Sequence, residues 1–116
     1  MSVDIEYQVK RLVNNNQKAK GVISRLKAHE KCVICESISI FKDGSFENDT
    51  RLNVYNDNIR AVLCKTCNEF ESNVKRAVEN DFISYKDMLR MFDEKKVKNV
   101  INNVYIHGGI IPMEVG

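Results

Sequence analysis

The chain has 116 residues, with 18 Lys+Arg against 16 Asp+Glu, 43% apolar residues, one Pro, no Trp and four Cys. That length suits one domain with a modest core. The longest apolar runs, such as Ala61-Val62-Leu63-Cys64, fall far short of the ~18 residues of a membrane span, and Met1-Ser2-Val3-Asp4-Ile5-Glu6 lacks the basic and apolar regions of a secretory signal. Composition therefore disfavours membrane, secreted and disordered classes and favours a small cytosolic globular domain.

Residues 4–28 place Ile5, Val9, Leu12, Val13, Val22, Ile23 and Leu26 near helical spacing. Asn14-Asn15-Asn16, a weak helix-forming run, is where this arm could divide into two helices. Residues 1–31 hold seven basic and three acidic residues, a clustered charge that makes the arm a candidate phosphate-contact surface. An unbroken helix of ~25 residues would be ~37 Å long. A small core cannot cover that length, so the arm is also a candidate homodimer surface, with packing on the C-terminal helix as the alternative.

The cysteines form two pairs, Cys32-Val33-Ile34-Cys35 and Cys64-Lys65-Thr66-Cys67, 28 residues apart. A two-residue gap lets both thiolates of a pair face one ion, and two pairs complete a tetrahedral site. Two disulfides or a redox C-x-x-C are the competing readings. Without a signal peptide disulfides are disfavoured, and a redox motif would need no duplicate. The spacing favours structural Zn²⁺ on Cys32, Cys35, Cys64 and Cys67, a closed site with no open position for catalysis.

Between the pairs, Ser37-Ile38-Ser39-Ile40-Phe41 alternates like a strand and Asp43-Gly44 signals a hairpin turn. Arg51-Leu52-Asn53-Val54-Tyr55 and Ile59-Arg60-Ala61-Val62-Leu63 read as extended runs around the turn Asn56-Asp57-Asn58. Asn68 with Glu71 reads as an N-cap and capping box opening a helix of roughly ten residues. Ser84 with Asp87 signals another start, and the stripe from Tyr85 to Val104 predicts a helix ending at His107-Gly108-Gly109, with Ile110-Ile111-Pro112 as an extended tail. His107 would act as a helix C-terminal cation. The expected fold is one α+β domain, comprising a helical arm (1–30), a zinc-stapled core (31–80) and a C-terminal helical segment (81–116).

The segment Ile59-Arg60-Ala61-Val62-Leu63-Cys64-Lys65-Thr66-Cys67-Asn68 resembles the V-R-G-L-L-C-x-x-C-N pattern of the recombination endonuclease VII family, phage resolvases within the HNH, or ββα-metal, nucleases. The convincing part covers about residues 30–75. The resemblance implies a carboxylate and an Asn holding Mg²⁺ and a strand His acting as general base. Asn68 matches the metal-binding Asn. The family's D-H-x-H run, however, falls on Tyr55-Asn56-Asp57-Asn58, or without gaps on Arg51-Leu52-Asn53-Val54, and neither contains His. The chain's two His, His29 and His107, both lie outside the segment between the cysteine pairs. The hydrolytic centre therefore reads as lost, and catalysis would fall to Asn68 with Asp49 or Asp57 and Mg²⁺.

The expected function is nucleic-acid binding by a degenerate relative of these nucleases, through Lys18, Lys20, Arg25 and Lys27 on the arm and Arg60, Lys65, Lys75 and Arg76 near the second pair. The resemblance also makes a phage origin and a host-cytoplasmic location plausible. Two alternatives are a phage effector that binds and inhibits a host protein, and an active structure-specific DNA endonuclease.

Overall fold

The computed structural model describes residues 4–13, 15–81 and 83–107. These form five α-helices and two small antiparallel sheets of two strands each. The first helix, α1 (Ile5–Leu12), opens at Asp4, whose carboxylate accepts the Tyr7 N–H at 3.0 Å. The second, α2 (Asn16–Lys27), opens at Asn15, whose side chain accepts the Gln17 N–H at 2.9 Å. The arm thus divides at its Asn run, where an extended, capping Asn is preferred to a helical one. Glu6 near the start of α1 pairs with Lys27 at the end of α2, so the two helices run in opposite directions as a helical hairpin.

The long helix that suggested a dimer does not form. Ile5, Val9, Ala19, Ile23 and Leu26 are instead buried within the chain's own core, with α1 on the third strand and α2 on the fourth.

Strands β1 (Phe41–Lys42) and β2 (Ser45–Phe46) flank Asp43 (φ 53°) and Gly44 (φ 82°). Two consecutive left-handed residues make the tight turn whose twist matches a hairpin. The strand expected from Ser37 is shorter than its alternation suggested: Ser39 only bridges Lys31, and pairing begins at Phe41. Strands β3 (Thr50–Tyr55) and β4 (Asn58–Cys64) form the main hairpin around Asn56 (φ 49°) and Asp57 (φ 65°).

The β3–β4 register slips once. Asn53 pairs with Ala61 and Val54 with Ile59, leaving Arg60 without a partner strand residue. Such a bulge re-aims a side chain and frees backbone groups from the ladder. Here it puts a charged residue inside a strand buried from Ile59 to Cys64.

Helix α3 (Lys65–Asp81) follows β4 without a loop and extends for 17 residues. It starts three residues before the expected cap, so Asn68 lies within its first turns and Glu71 does not close a capping box. The stripe after Ser84 is also two helices rather than one. The capping box of Ser84 and Asp87 opens α4 (Tyr85–Met91) as expected, but Asp93 caps a new helix, α5 (Glu94–Asn103), by accepting the Lys96 N–H at 2.9 Å. A 3-10 turn at Tyr105–His107 follows. The expected Gly108-Gly109 stop and the Ile110–Pro112 tail lie outside the described residues. Among the described residues, no helix is long and apolar enough to cross a membrane.

Candidate metal centre

The fold brings both cysteine pairs together. Cys32 and Cys35 sit on the turn after α2, Cys64 ends β4 and Cys67 lies in the first turn of α3. Their four sulfurs all lie within 4.8 Å of one another, and none is in a disulfide. A tetrahedral thiolate site with Zn–S of ~2.3 Å needs sulfurs ~3.8 Å apart, so the set fits a metal ion with little adjustment. Cys32, Cys64 and Cys67 are buried and Cys35 is half-buried. Burial pushes the Cys64 and Cys67 thiols up. At Cys35 burial also pushes upward, but hydrogen bonds from Ser37, Cys67 and the Ile38 backbone outweigh it and bring the thiol down to about 6.

The first pair is shaped by a tight turn. The Glu36 N–H donates to the Cys32 carbonyl at 2.8 Å, with Glu36 held at a left-handed φ of 59°. Helix α5 reaches across to it: the Asn99 amide donates to the Ile34 carbonyl at 2.8 Å and to the Glu36 carboxylate at 3.1 Å, and the Asn103 amide donates to the Val33 carbonyl at 3.1 Å. The C-terminal helix therefore clamps the cysteine turn.

Beside the second pair lies a buried polar cluster that sequence reasoning missed. Arg60, 0% exposed, donates through Nε to Asn53 Oδ1 at 2.7 Å and through Nη2 to Glu71 Oε1 at 2.8 Å, with Glu71 itself 1% exposed. Asn53 Nδ2 donates to Asn68 Oδ1 at 2.9 Å and to Glu71 Oε1 at 2.8 Å, while the Tyr105 hydroxyl donates to Glu71 Oε2 at 2.9 Å. The Arg60 guanidinium lies over both the Tyr55 and the Tyr105 ring, 5.1 and 5.0 Å from their centroids. Its Nη1 has no hydrogen-bond partner among the described residues; the two ring faces supply its electrostatic counterpart. Burial, with the Glu71 charge, pushes the Tyr105 hydroxyl well above its usual range. One signal for this cluster was present in the sequence: a lone Arg within Ile59-Arg60-Ala61-Val62-Leu63 needs a buried partner once that run is a core strand.

The candidate nucleic-acid residues separate into two groups. Arg60 is not on the surface at all. Arg25 is half-buried and donates at 2.9 Å to the Ile59 and Arg60 carbonyls, binding α2 to the bulge. Lys27 is paired with Glu6 and lies 5.7 Å from the Phe41 ring centroid. Lys75 lies 5.7 Å from the Tyr55 ring, whose hydroxyl donates to Glu79 at 2.7 Å. Lys18, Lys20, Lys65 and Arg76 are exposed.

The candidate catalytic residues do not converge. Asn68 faces Asn53 inside the cluster, whereas Asp57 is exposed at the β3–β4 turn. Asp49 is exposed before β3, its carbonyl accepting the Lys65 N–H at 2.8 Å. Among the described residues, the cysteines form the only group of three or more His, Cys, Asp or Glu side chains close enough to share a metal ion. His29 is exposed after α2, beside a shallow groove lined by Lys31, Cys32 and Asn103. His107 is half-buried; burial, then the charges of Arg25 and His29, lower its pKa. That direction disfavours the charged form expected of a helix-end cation.

Comparison with protein-family models, curated proteins and solved structures gives no match to this chain.

Proposed function

We propose that this protein is a nucleic-acid-binding module, its core stapled by structural zinc, which keeps a ββα nuclease-like scaffold without the hydrolytic centre. Zinc is the ion suited to four converging thiolates in a closed tetrahedral set. The ion would tie the turn after α2 to the β4–α3 junction and supply folding energy rather than chemistry.

The observation that carries the non-hydrolytic reading is the Arg60 cluster. In the resembled nucleases, the strand run aligned with residues 51–54 and the Asn aligned with Asn68 would surround a catalytic cation. Here the Arg60 guanidinium takes the Asn53 and Glu71 oxygens, and the Asn68 side-chain oxygen is taken by the Asn53 amide. Among the hydrogen bonds of the cluster none comes from a histidine. The binding reading is supported by the exposed basic residues Lys18 and Lys20 on α2, a helix with no acidic residue.

The test is fluorescence anisotropy with duplex and four-way-junction DNA over a salt series, with a parallel cleavage assay in Mg²⁺. Binding that weakens linearly on a log–log salt plot, without cleavage, is the expected result. Undetectable binding at low salt would sink the proposal. Mg²⁺-dependent cleavage lost in Asn68→Ala would replace it with the endonuclease reading.

A further inference from the structure

We infer that the phosphate-contact surface is the turn end of the α1–α2 hairpin, where Lys10, Arg11, Lys18 and Lys20 meet the backbone of duplex nucleic acid. This rests on the nucleic-acid-binding reading above and replaces most of the residues that the sequence offered for it.

Between Glu6 and Glu30 the chain has six basic residues and no acidic one. The structure divides those six sharply. Lys27 is neutralised by Glu6 and Arg25 is committed to the carbonyls at the β4 bulge. Lys10, Arg11, Lys18 and Lys20 are all exposed, and none is in an ion pair among the described residues. The apolar faces of both helices, Ile5 and Val9 on one and Ala19, Ile23 and Leu26 on the other, are turned into the core. The four cations therefore project outward, and the antiparallel pairing gathers them near the connection between the helices.

The surroundings suit a phosphate backbone. Asn15, Asn16 and Gln17 are exposed at the same end, adding neutral amides that can donate to phosphate oxygens. Arg11 lies 5.9 Å from the ring centroid of Tyr7, itself 59% exposed, placing a planar cation and an aromatic face at the surface together.

Helix α3 offers no comparable field. Its basic residues Lys65, Lys75 and Arg76 share the helix with the exposed Glu69 and Glu79. Lys75 and Glu79 both meet Tyr55, so opposite charges lie close together there. A polyanion approaching α3 meets cancelled charge, whereas one approaching the hairpin turn meets uniform positive charge.

Four phosphate contacts predict a salt slope of about −3.6 on duplex DNA. Anisotropy titrations of the zinc-loaded 116-residue chain should show Lys18→Gln/Lys20→Gln lowering that slope by about 2 and weakening binding roughly 60-fold at ~0.1 M salt. Lys10→Gln/Arg11→Gln should do the same, and Lys75→Gln/Arg76→Gln should stay within about twofold. Circular dichroism confirms that each variant is folded. If the hairpin variants bind like the parent while the Lys75/Arg76 variant loses affinity, the surface is misplaced but DNA binding stands. If the parent itself does not bind, both the surface and the binding reading fall. If the parent binds phosphatidylserine vesicles as tightly as duplex, with the same dependence on the hairpin lysines, the surface is a membrane contact and the nucleic-acid assignment is overturned.

Discussion

The α1–α2 hairpin and the core built from β3, β4 and α3 treat charge in opposite ways. In the core, Arg60 and Glu71 are withdrawn from water and paired with each other, with Asn53 and Tyr105 hydrogen-bonded to them and Asn68 to Asn53. On the hairpin, Lys10, Arg11, Lys18 and Lys20 are left in solvent with no acidic residue between Glu6 and Glu30. A buried charge must be satisfied where it sits, so it specifies one geometry. An exposed charge remains available to whatever approaches. Arg25 joins the regions by spending its guanidinium on the bulge carbonyls.

The most forceful way to break this comparison is to remove the zinc proposed for the four cysteines. Apparent zinc-binding energies of small thiolate sites reach ~10–16 kcal/mol at neutral pH, comparable with or above the ~5–15 kcal/mol stability of a whole domain. Elemental analysis should find one zinc per chain, and chelation or Cys67→Ser should abolish cooperative unfolding followed by circular dichroism. A chain that melts unchanged without metal would remove the staple from the core.

Next comes the buried pair. Glu71→Ala leaves Arg60 uncompensated and should cost about 3–5 kcal/mol in urea unfolding. Arg60→Met combined with Glu71→Leu should recover much of that loss, since apolar replacement of a whole buried pair is often tolerated. Lys18→Gln on the hairpin should lie within about 0.5 kcal/mol of the parent. Equal effects at Glu71 and Lys18 would erase the contrast.

A smaller effect is expected at the clamp on the first cysteine turn. Asn99→Ala and Asn103→Ala each leave a carbonyl of that turn without its donor and should cost about 1–2 kcal/mol, with faster zinc loss to a chelator. Unchanged zinc release would mean that α5 does not brace the centre.

The smallest concerns pH. The lowered pKa of His107 means that the unfolded chain takes up this proton first, at its ordinary value near 6.5. Its contribution is present above that pH and is lost as pH falls towards the folded value. After solvent screening the loss should be about a few tenths of a kcal/mol, seen as a difference between parent and His107→Gln in urea titrations at several pH values. A larger loss in the variant would reverse the sign.

The sequence was legible where a local rule decides the structure. Asp43-Gly44 made a turn because two left-handed residues were needed, and Ser84 with Asp87 capped a helix because both partners lie within one turn. The paired cysteines were readable because metal geometry restricts their spacing. Asn68 with Glu71 carried the same local signal as Ser84 with Asp87 yet did not cap. Glu71 was claimed by Arg60 from the neighbouring strand, an attraction that spacing along one helix cannot reveal. The Arg60 bulge escaped for the same reason: a one-residue slip depends on which partner each side chain finds across the hairpin. Among the basic residues, composition identified the positive arm but could not tell Lys18 from Arg25, because only the fold decides which cation already has an acceptor.

Tyr105 sets a timing requirement on the chain. Its hydroxyl satisfies Glu71 Oε2 and its ring closes one side of the Arg60 guanidinium, yet it is separated from Glu71 by 34 residues. During synthesis, all four cysteines and both strands of the main hairpin emerge well before it. The cysteines and the main hairpin thus precede in the chain the residue that covers Arg60 and Glu71. The last described turn of the protein thus covers the Arg60–Glu71 pair, and a chain cut before Tyr105 should leave both charges short of a partner.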